Sequence, residues 1–148
     1  MKLKLNWHQS IELGAFPYAA PIANVPKNPG IYIFLRVHGR TAEAIYVGKA
    51  GNLQSRIKTQ LNNLKLMRGI QSMPNGKRRL VYAEFVARPG QKAATALPIC
   101  EKTLIRYYLS LGHELLNIQG AKLRYHELDS QRSDLRKFLP ISTKMLIG

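Results

Sequence analysis

The chain has 148 residues, of which 45% are hydrophobic, enough for one compact domain with an ordinary core and short for two. Twenty-three Lys and Arg against eight Asp and Glu leave a formal charge of +15, which in so small a body implies a polyanionic partner, nucleic acid ahead of an anionic membrane surface. An apolar run of spanning length and a signal-peptide core are both missing, so a soluble protein, cytoplasmic or otherwise intracellular, is expected, and the lone Cys100 excludes an internal disulfide and a cysteine-based zinc site.

In chain order, residues 1–7 alternate enough to read as a strand, and Pro17, Pro21 and Pro26 punctuate the stretch after it, so residues 1–25 are expected to form an N-terminal extension. Pro29-Gly30 opens a run of strand formers over 31–37, His38 to Thr41 supply a turn, and 44–48 return as the second strand of a hairpin. Ile31, Ile33, Leu35 and Val37 share one face of the first strand, and Ile45 and Val47 are expected to share one face of the second. Burying both sets together places Tyr32 and Tyr46 on the same opposite face, because a slip of one residue would expose every aliphatic.

From Asn52, a candidate N-cap, the period changes: Leu53, Ile57, Leu61 and Leu64 stand at helical spacing, which predicts one helix to about Met67. A loop over 68–79 ends in the basic cluster Lys77, Arg78 and Arg79, and a third strand is expected over 80–87. A helix over about 94–111 comes next, kinked or restarted at Pro98 and stopped at Gly112. If it starts at Pro98, Glu101 lies in its first turn, where the helix dipole favours an ionised carboxylate. Beyond Gly120 the signals weaken apart from a short helix over 133–139.

Several of these residues form an ordered series. Gly30-Ile31-Tyr32, then Tyr46-Val47-Gly48-Lys49, the Asn52-Leu53 entry into a helix bearing Arg56, the run Glu101-Lys102-Thr103-Leu104-Ile105 and the ending Leu115-Leu116-Asn117 resemble the GIY-YIG nuclease family over about ninety residues. The resemblance implies an α/β fold of α+β type, a small three-stranded antiparallel sheet flanked by helices. It sets a nuclease-like domain at 26–120, with a C-terminal extension at 121–148. It also implies metal-dependent cleavage of DNA. Tyr32 and Tyr46 would handle the water and the phosphate, in an order the sequence leaves open. Arg56 and Lys49 would hold phosphate charge, and Glu101 would bind one divalent cation, Mg²⁺. Asn117, with Gly30 and Gly48, would support the site.

Each role has a chemical reason. A phenol needs neighbouring positive charge to act as a base near neutral pH, which Lys49 and Arg56 could supply. A planar guanidinium suits a pentacovalent phosphorus. Only two carboxylates, Glu84 and Glu101, lie between residues 44 and 113, which favours one metal ion per site over two. One helical turn after the arginine, where family members often carry His or Tyr, this chain has Gln60, which can orient water but cannot take its proton. That departure keeps a second reading open, a catalytically weak or inactive nucleic-acid-binding protein on the same scaffold.

Lys77, Arg78 and Arg79 are candidate contacts to the nucleic-acid backbone alongside Lys49 and Arg56. Double-stranded DNA is the expected substrate, and no residue rules out RNA. The preferred setting is a stand-alone nuclease of restriction or mobile-element type. One active site per chain means that cutting both strands takes a dimer or two visits.

Overall fold

The computed structural model describes residues 2–116 together with the backbone of 125–130 and 142–146. Its frame is a hairpin, β3 (Gly30–His38) and β4 (Thr41–Ala50), with β5 (Lys77–Val86) pairing antiparallel to β3 on the other side. This three-stranded antiparallel unit is the expected one, and the sheet continues past it. β1 (Lys2–Trp7) pairs antiparallel with β5, β2 (Ile11–Glu12) also pairs with β5, β6 (Tyr125–Ser130) runs parallel to β1, and β7 (Ser142–Leu146) pairs antiparallel with β6. The order β4-β3-β5-β1-β6-β7 leaves β4 on an edge. Residues 1–25 thus contribute two strands to the sheet, and Leu3, Leu5 and Trp7 are buried in its core. The helix expected over 133–139 lies outside the described residues.

Helices cover both faces. α3 (Ala93–Ser110) packs Leu97, Cys100, Leu104 and Tyr108 on Ile31, Ile33, Leu35, Val47, Val81 and Ala83. On the other face α1 (Leu53–Leu61) and α2 (Leu64–Ser72) bring Leu53, Ile57, Leu66, Met67 and Ile70 onto Tyr32, Phe34, Leu80 and Tyr82. The face opposite Ile31, Ile33 and Leu35 is therefore a second core, and Tyr32 is fully buried in it.

Three local expectations are corrected. The single helix over 52–67 is two, because Asn63 interrupts it and caps α2 by accepting from the Leu66 N–H at 3.2 Å; Asn52 caps α1 as expected, accepting from Ser55 at 3.0 Å. Ile45 does not share a face with Val47. The β3/β4 register passes from Phe34 opposite Tyr46 to Leu35 opposite Ala44, so Ile45 is the extra residue of a bulge and packs with the tyrosines. Two contacts satisfy the bulged backbone: the Ala44 N–H donates to His113 Nδ1 at 3.0 Å, and the Ile45 carbonyl accepts from Leu116 N–H at 2.8 Å. Finally, α3 begins at Ala93 and carries Pro98 within it, so Glu101 is the ninth residue of the helix and gains nothing from the first-turn dipole.

No helix among the described residues is long and apolar enough to cross a membrane.

Candidate active site

Regular register ahead of the bulge, with Tyr32 opposite Gly48 and Phe34 opposite Tyr46, puts both phenols on the α1 side of the sheet. Tyr32 and Tyr46 lie with ring centroids 6.2 Å apart and planes inclined by 27°. Gly48 is paired with Tyr32 across the hairpin, and a Cβ there would stand 2.2 Å from Tyr32 Cζ and 2.3 Å from its hydroxyl oxygen, so only glycine lets the phenol lie across β4. Gly30 plays the same part for the helix: its Cβ would meet the Ala83 carbonyl oxygen at 2.0 Å and Leu53 Cδ1 at 2.6 Å, so its absence lets α1 seat on the sheet.

Gln60, buried on α1, donates through Nε2 to the Tyr32 hydroxyl at 2.8 Å and lies 3.5 Å from that of Tyr46. Arg56, one turn earlier and exposed, interacts with the Tyr32 hydroxyl and lies close enough to Tyr46 and Glu101 to feel their charge; its own pKa is raised, first by the contact with Tyr32. Tyr32 titrates above the ordinary phenol value because burial outweighs the lowering effect of Gln60 and Arg56. The expectation that nearby cations ready either phenol as a base is corrected for Tyr32: desolvation wins. Tyr46 is only half-buried, so it is the phenol that solvent can reach.

Lys49 points to the other side of β4, towards α3, where its Nζ meets Glu101 Oε1 at 3.4 Å; the lysine side chain is 45% exposed and the glutamate 12%. Because β4 is an edge strand, the groups on its two faces meet around the edge. There a cleft of about 530 Å³ opens between α1 and the N-terminal half of α3, lined by Lys49, Asn52, Ser55, Arg56 and Thr59 on one wall and Ala93, Ala94, Leu97 and Pro98 on the other. Glu101 stands one turn along α3 from Leu97 and Pro98 and borders the cleft through Lys49. Tyr32 lies behind Arg56 and does not line it.

The structure therefore brings Tyr32, Tyr46, Gln60, Arg56, Lys49 and Glu101 together. Asn117 lies outside the described residues. Ser55 and Thr59 are absent from the sequence-derived site, and Asn52 enters it only as a cap and motif residue, although with Arg56 they form a polar stripe at positions i, i+3, i+4 and i+7, the visible signature of one helix flank.

The basic cluster is elsewhere, and most of it is spent. Arg78 is 8% exposed, and its guanidinium donates to the carbonyls of Ile70, Met73, Pro74 and Gly76 at 2.8–3.2 Å. Its reading as a nucleic-acid contact is corrected, since its donors already close the turn from α2 into β5. Arg79 donates to the Ser10 hydroxyl at 2.7 Å and to the Ser10 carbonyl at 3.2 Å. Lys77, 73% exposed, has a long ion pair with Glu12 at 3.5 Å.

Of the two carboxylates between residues 44 and 113, Glu84 is fully engaged. His8 Nε2 meets one oxygen at 2.7 Å and Asn28 Nδ2 the other at 2.6 Å, and these contacts hold its pKa below the usual value, the Asn28 bond most of all. No group of three His, Cys, Asp or Glu among the described residues could hold a metal ion. Of these two carboxylates, Glu101 is thus the one that a cation at the cleft could use. A single carboxylate fits Mg²⁺, which keeps several waters and completes its shell with substrate phosphate, and does not fit ions that demand a full protein cage.

Comparison with known proteins returns two relatives of one kind. The chain is 34% identical over 94 residues, 59% of its length, to the UvrABC system protein C of Methanococcus maripaludis, and 33% identical over 70 residues, 47% of its length, to that of Chlorobium phaeobacteroides. The matched segments cover 15% and 10% of those longer proteins. No family model and no solved structure matches the chain.

Proposed function

We propose that the protein is a GIY-YIG-type endonuclease that hydrolyses DNA phosphodiester bonds with one Mg²⁺ per site. The observation that carries the reading is a chain of contacts around one edge strand, in which the guanidinium and ammonium of Arg56 and Lys49 line the cleft, two phenols stand behind Arg56 and the Glu101 carboxylate behind Lys49, from segments up to about seventy residues apart in sequence. The likeness to UvrABC system protein C and the excess of positive charge support DNA as the substrate.

In this reading a backbone phosphate enters the cleft against Arg56 and Lys49. The guanidinium is best placed for the charge that grows on the equatorial oxygens, and the ammonium acts as a mobile point charge beside it. Tyr46, the phenol open to solvent, orients the attacking water. Tyr32, kept protonated by burial, instead fixes the position of Arg56. Mg²⁺ on Glu101 would supply charge stabilisation to the leaving oxygen. Lys49 competes for the same carboxylate oxygen at 3.4 Å, so it is expected to swing from Glu101 to phosphate when the ion and substrate bind.

The test is relaxation of supercoiled plasmid in Mg²⁺ by the parent protein and by Glu101→Ala. The parent should nick and the variant should only retard the plasmid; cleavage by the variant would remove Glu101 from the chemistry. Plasmid retarded but uncut by the parent would favour the second reading, a nucleic-acid-binding protein without activity, to which Gln60 gives substance because it replaces a proton acceptor by an amide. The restriction or mobile-element setting stays a proposal, decided by mapped cut ends on a defined duplex.

A further inference from the structure

We infer that Asn63 is a positioning residue for this site: its amide sets the orientation of Gln60, so that the Gln60 NH₂ group and not its carbonyl faces the two phenols. The inference deepens the reading above and rests on it for its kinetic consequence only.

Asn63 uses both ends of its side chain. Its Oδ1 accepts from the Leu66 N–H at 3.2 Å and caps α2, while its Nδ2 donates to Gln60 Oε1 at 3.3 Å. The link is held short by the backbone, since the Asn63 N–H donates to the Gln60 carbonyl at 3.0 Å. A carboxamide with its oxygen engaged on one side must present donors on the other, and Gln60 Nε2 does so to Tyr32 at 2.8 Å and towards Tyr46 at 3.5 Å.

The polarity matters. With Nε2 inward, the phenolic oxygens act as acceptors, and the proton of Tyr46, the phenol that solvent reaches, is free to point outward to a water. A half-turn of the Gln60 amide would put Oε1 against them, draw a phenolic proton inward and leave nothing to orient water. Among the residues that cap helices well, only Asn offers an acceptor for the helix and a donor for Gln60 from the same group; Ser and Thr are too short, and Asp lacks the donor.

Two variants separate this role from capping. Asn63→Ser keeps a cap acceptor and loses the donor, and Asn63→Asp keeps the cap and sets a carboxylate against Gln60 Oε1. In the parent protein, nuclear magnetic resonance should show contacts between the Gln60 side-chain amide protons and the rings of Tyr32 and Tyr46. Both variants should lose those contacts with an unchanged melting temperature, and kcat for plasmid nicking should fall roughly 2- to 10-fold at constant KM, the worth of one neutral hydrogen bond. Contacts that persist in both variants, or a lower melting temperature with contacts intact, would overturn the inference and leave Asn63 a cap. Loss of the contacts in a protein whose parent form cuts no plasmid would uphold the positioning role and sink the nuclease reading instead.

Discussion

Two groups of cations invite the same reading from sequence and have opposite fates in the fold. Lys49 and Arg56 stand near the ends of elements that converge on an edge-strand cleft, where the guanidinium meets Tyr32 and the ammonium meets Glu101, both groups of the candidate site. Lys77, Arg78 and Arg79 begin β5, and two of the three are consumed inside the molecule, Arg78 by four carbonyls of the α2–β5 turn and Arg79 by Ser10. A net charge of +15 therefore overstates what a polyanion can touch. What decides availability is whether acceptors left open by the fold lie within reach, the carbonyls in and after the last turn of α2 for Arg78 and those of Ser10 for Arg79.

Substitution of the two arginines should split cleanly along that line. The larger effect belongs to Arg56→Ala: loss of a transition-state donor costs about 10²–10³ in rate where such donors have been removed elsewhere. Because Arg56 is exposed, its melting temperature should stay near that of the parent. Arg56→Lys should recover little, since an ammonium cannot span two phosphate oxygens as a planar fork does. Single-turnover nicking rates check this, and a full-rate Arg56→Ala protein would break the comparison at its catalytic end.

Arg78→Ala should do the reverse. It takes the guanidinium donor from four carbonyl oxygens in and after the last turn of α2, of which Ile70 keeps the Met73 N–H, and empties a buried volume, a loss of about 2–4 kcal/mol of stability by the usual scale for such networks. Urea denaturation reads this directly. The surviving folded fraction should bind and cut DNA like the parent, and a selective loss of DNA affinity at unchanged stability would restore Arg78 to the binding surface.

The same contrast explains what was legible in the sequence. Strand parity put Tyr32 and Tyr46 on one face, because alternation is a local property that survives into the sheet, and Gly112, at φ 85°, ends α3 where the pattern stops. Ile45 was misplaced because a bulge is an insertion relative to a partner strand and leaves no mark on its own strand. The division of α1 from α2 was missed because Leu53, Ile57, Leu61 and Leu64 keep helical spacing straight through the break. The only sign was the Asn62-Asn63 pair, whose second member caps the new helix. β1 was set apart as an extension since three prolines come after it, whereas its partner β5 lies some eighty residues away, a pairing no local pattern encodes. Arg78 shows the same limit: the carbonyls that consume it come from a helix end expected to be loop.

Lys77 gives the smallest effect and the finest test. Its register partner is Val37, and it lies five residues along β5 from Tyr82, the partner of Tyr32, and three from Leu80, whose partner Phe34 faces Tyr46, so along the strand it stands about 17 Å from the level of Tyr32 and about 10 Å from that of Tyr46. Its ion pair with Glu12 is long and both ends are exposed, a contact worth about 0–1 kcal/mol, so releasing the lysine to a phosphate takes little. A duplex bound at the cleft and reaching the end of the sheet where Lys77 stands would carry phosphates past it, at one charge per ~1.7 Å of axis. Lys77→Ala should then leave stability unchanged and reduce the slope of log affinity against log salt by about 0.9, one phosphate contact, while Arg79→Ala leaves the slope alone. An unchanged slope in Lys77→Ala would take the DNA path away from that end of the sheet and confine the binding surface to the helices around the cleft.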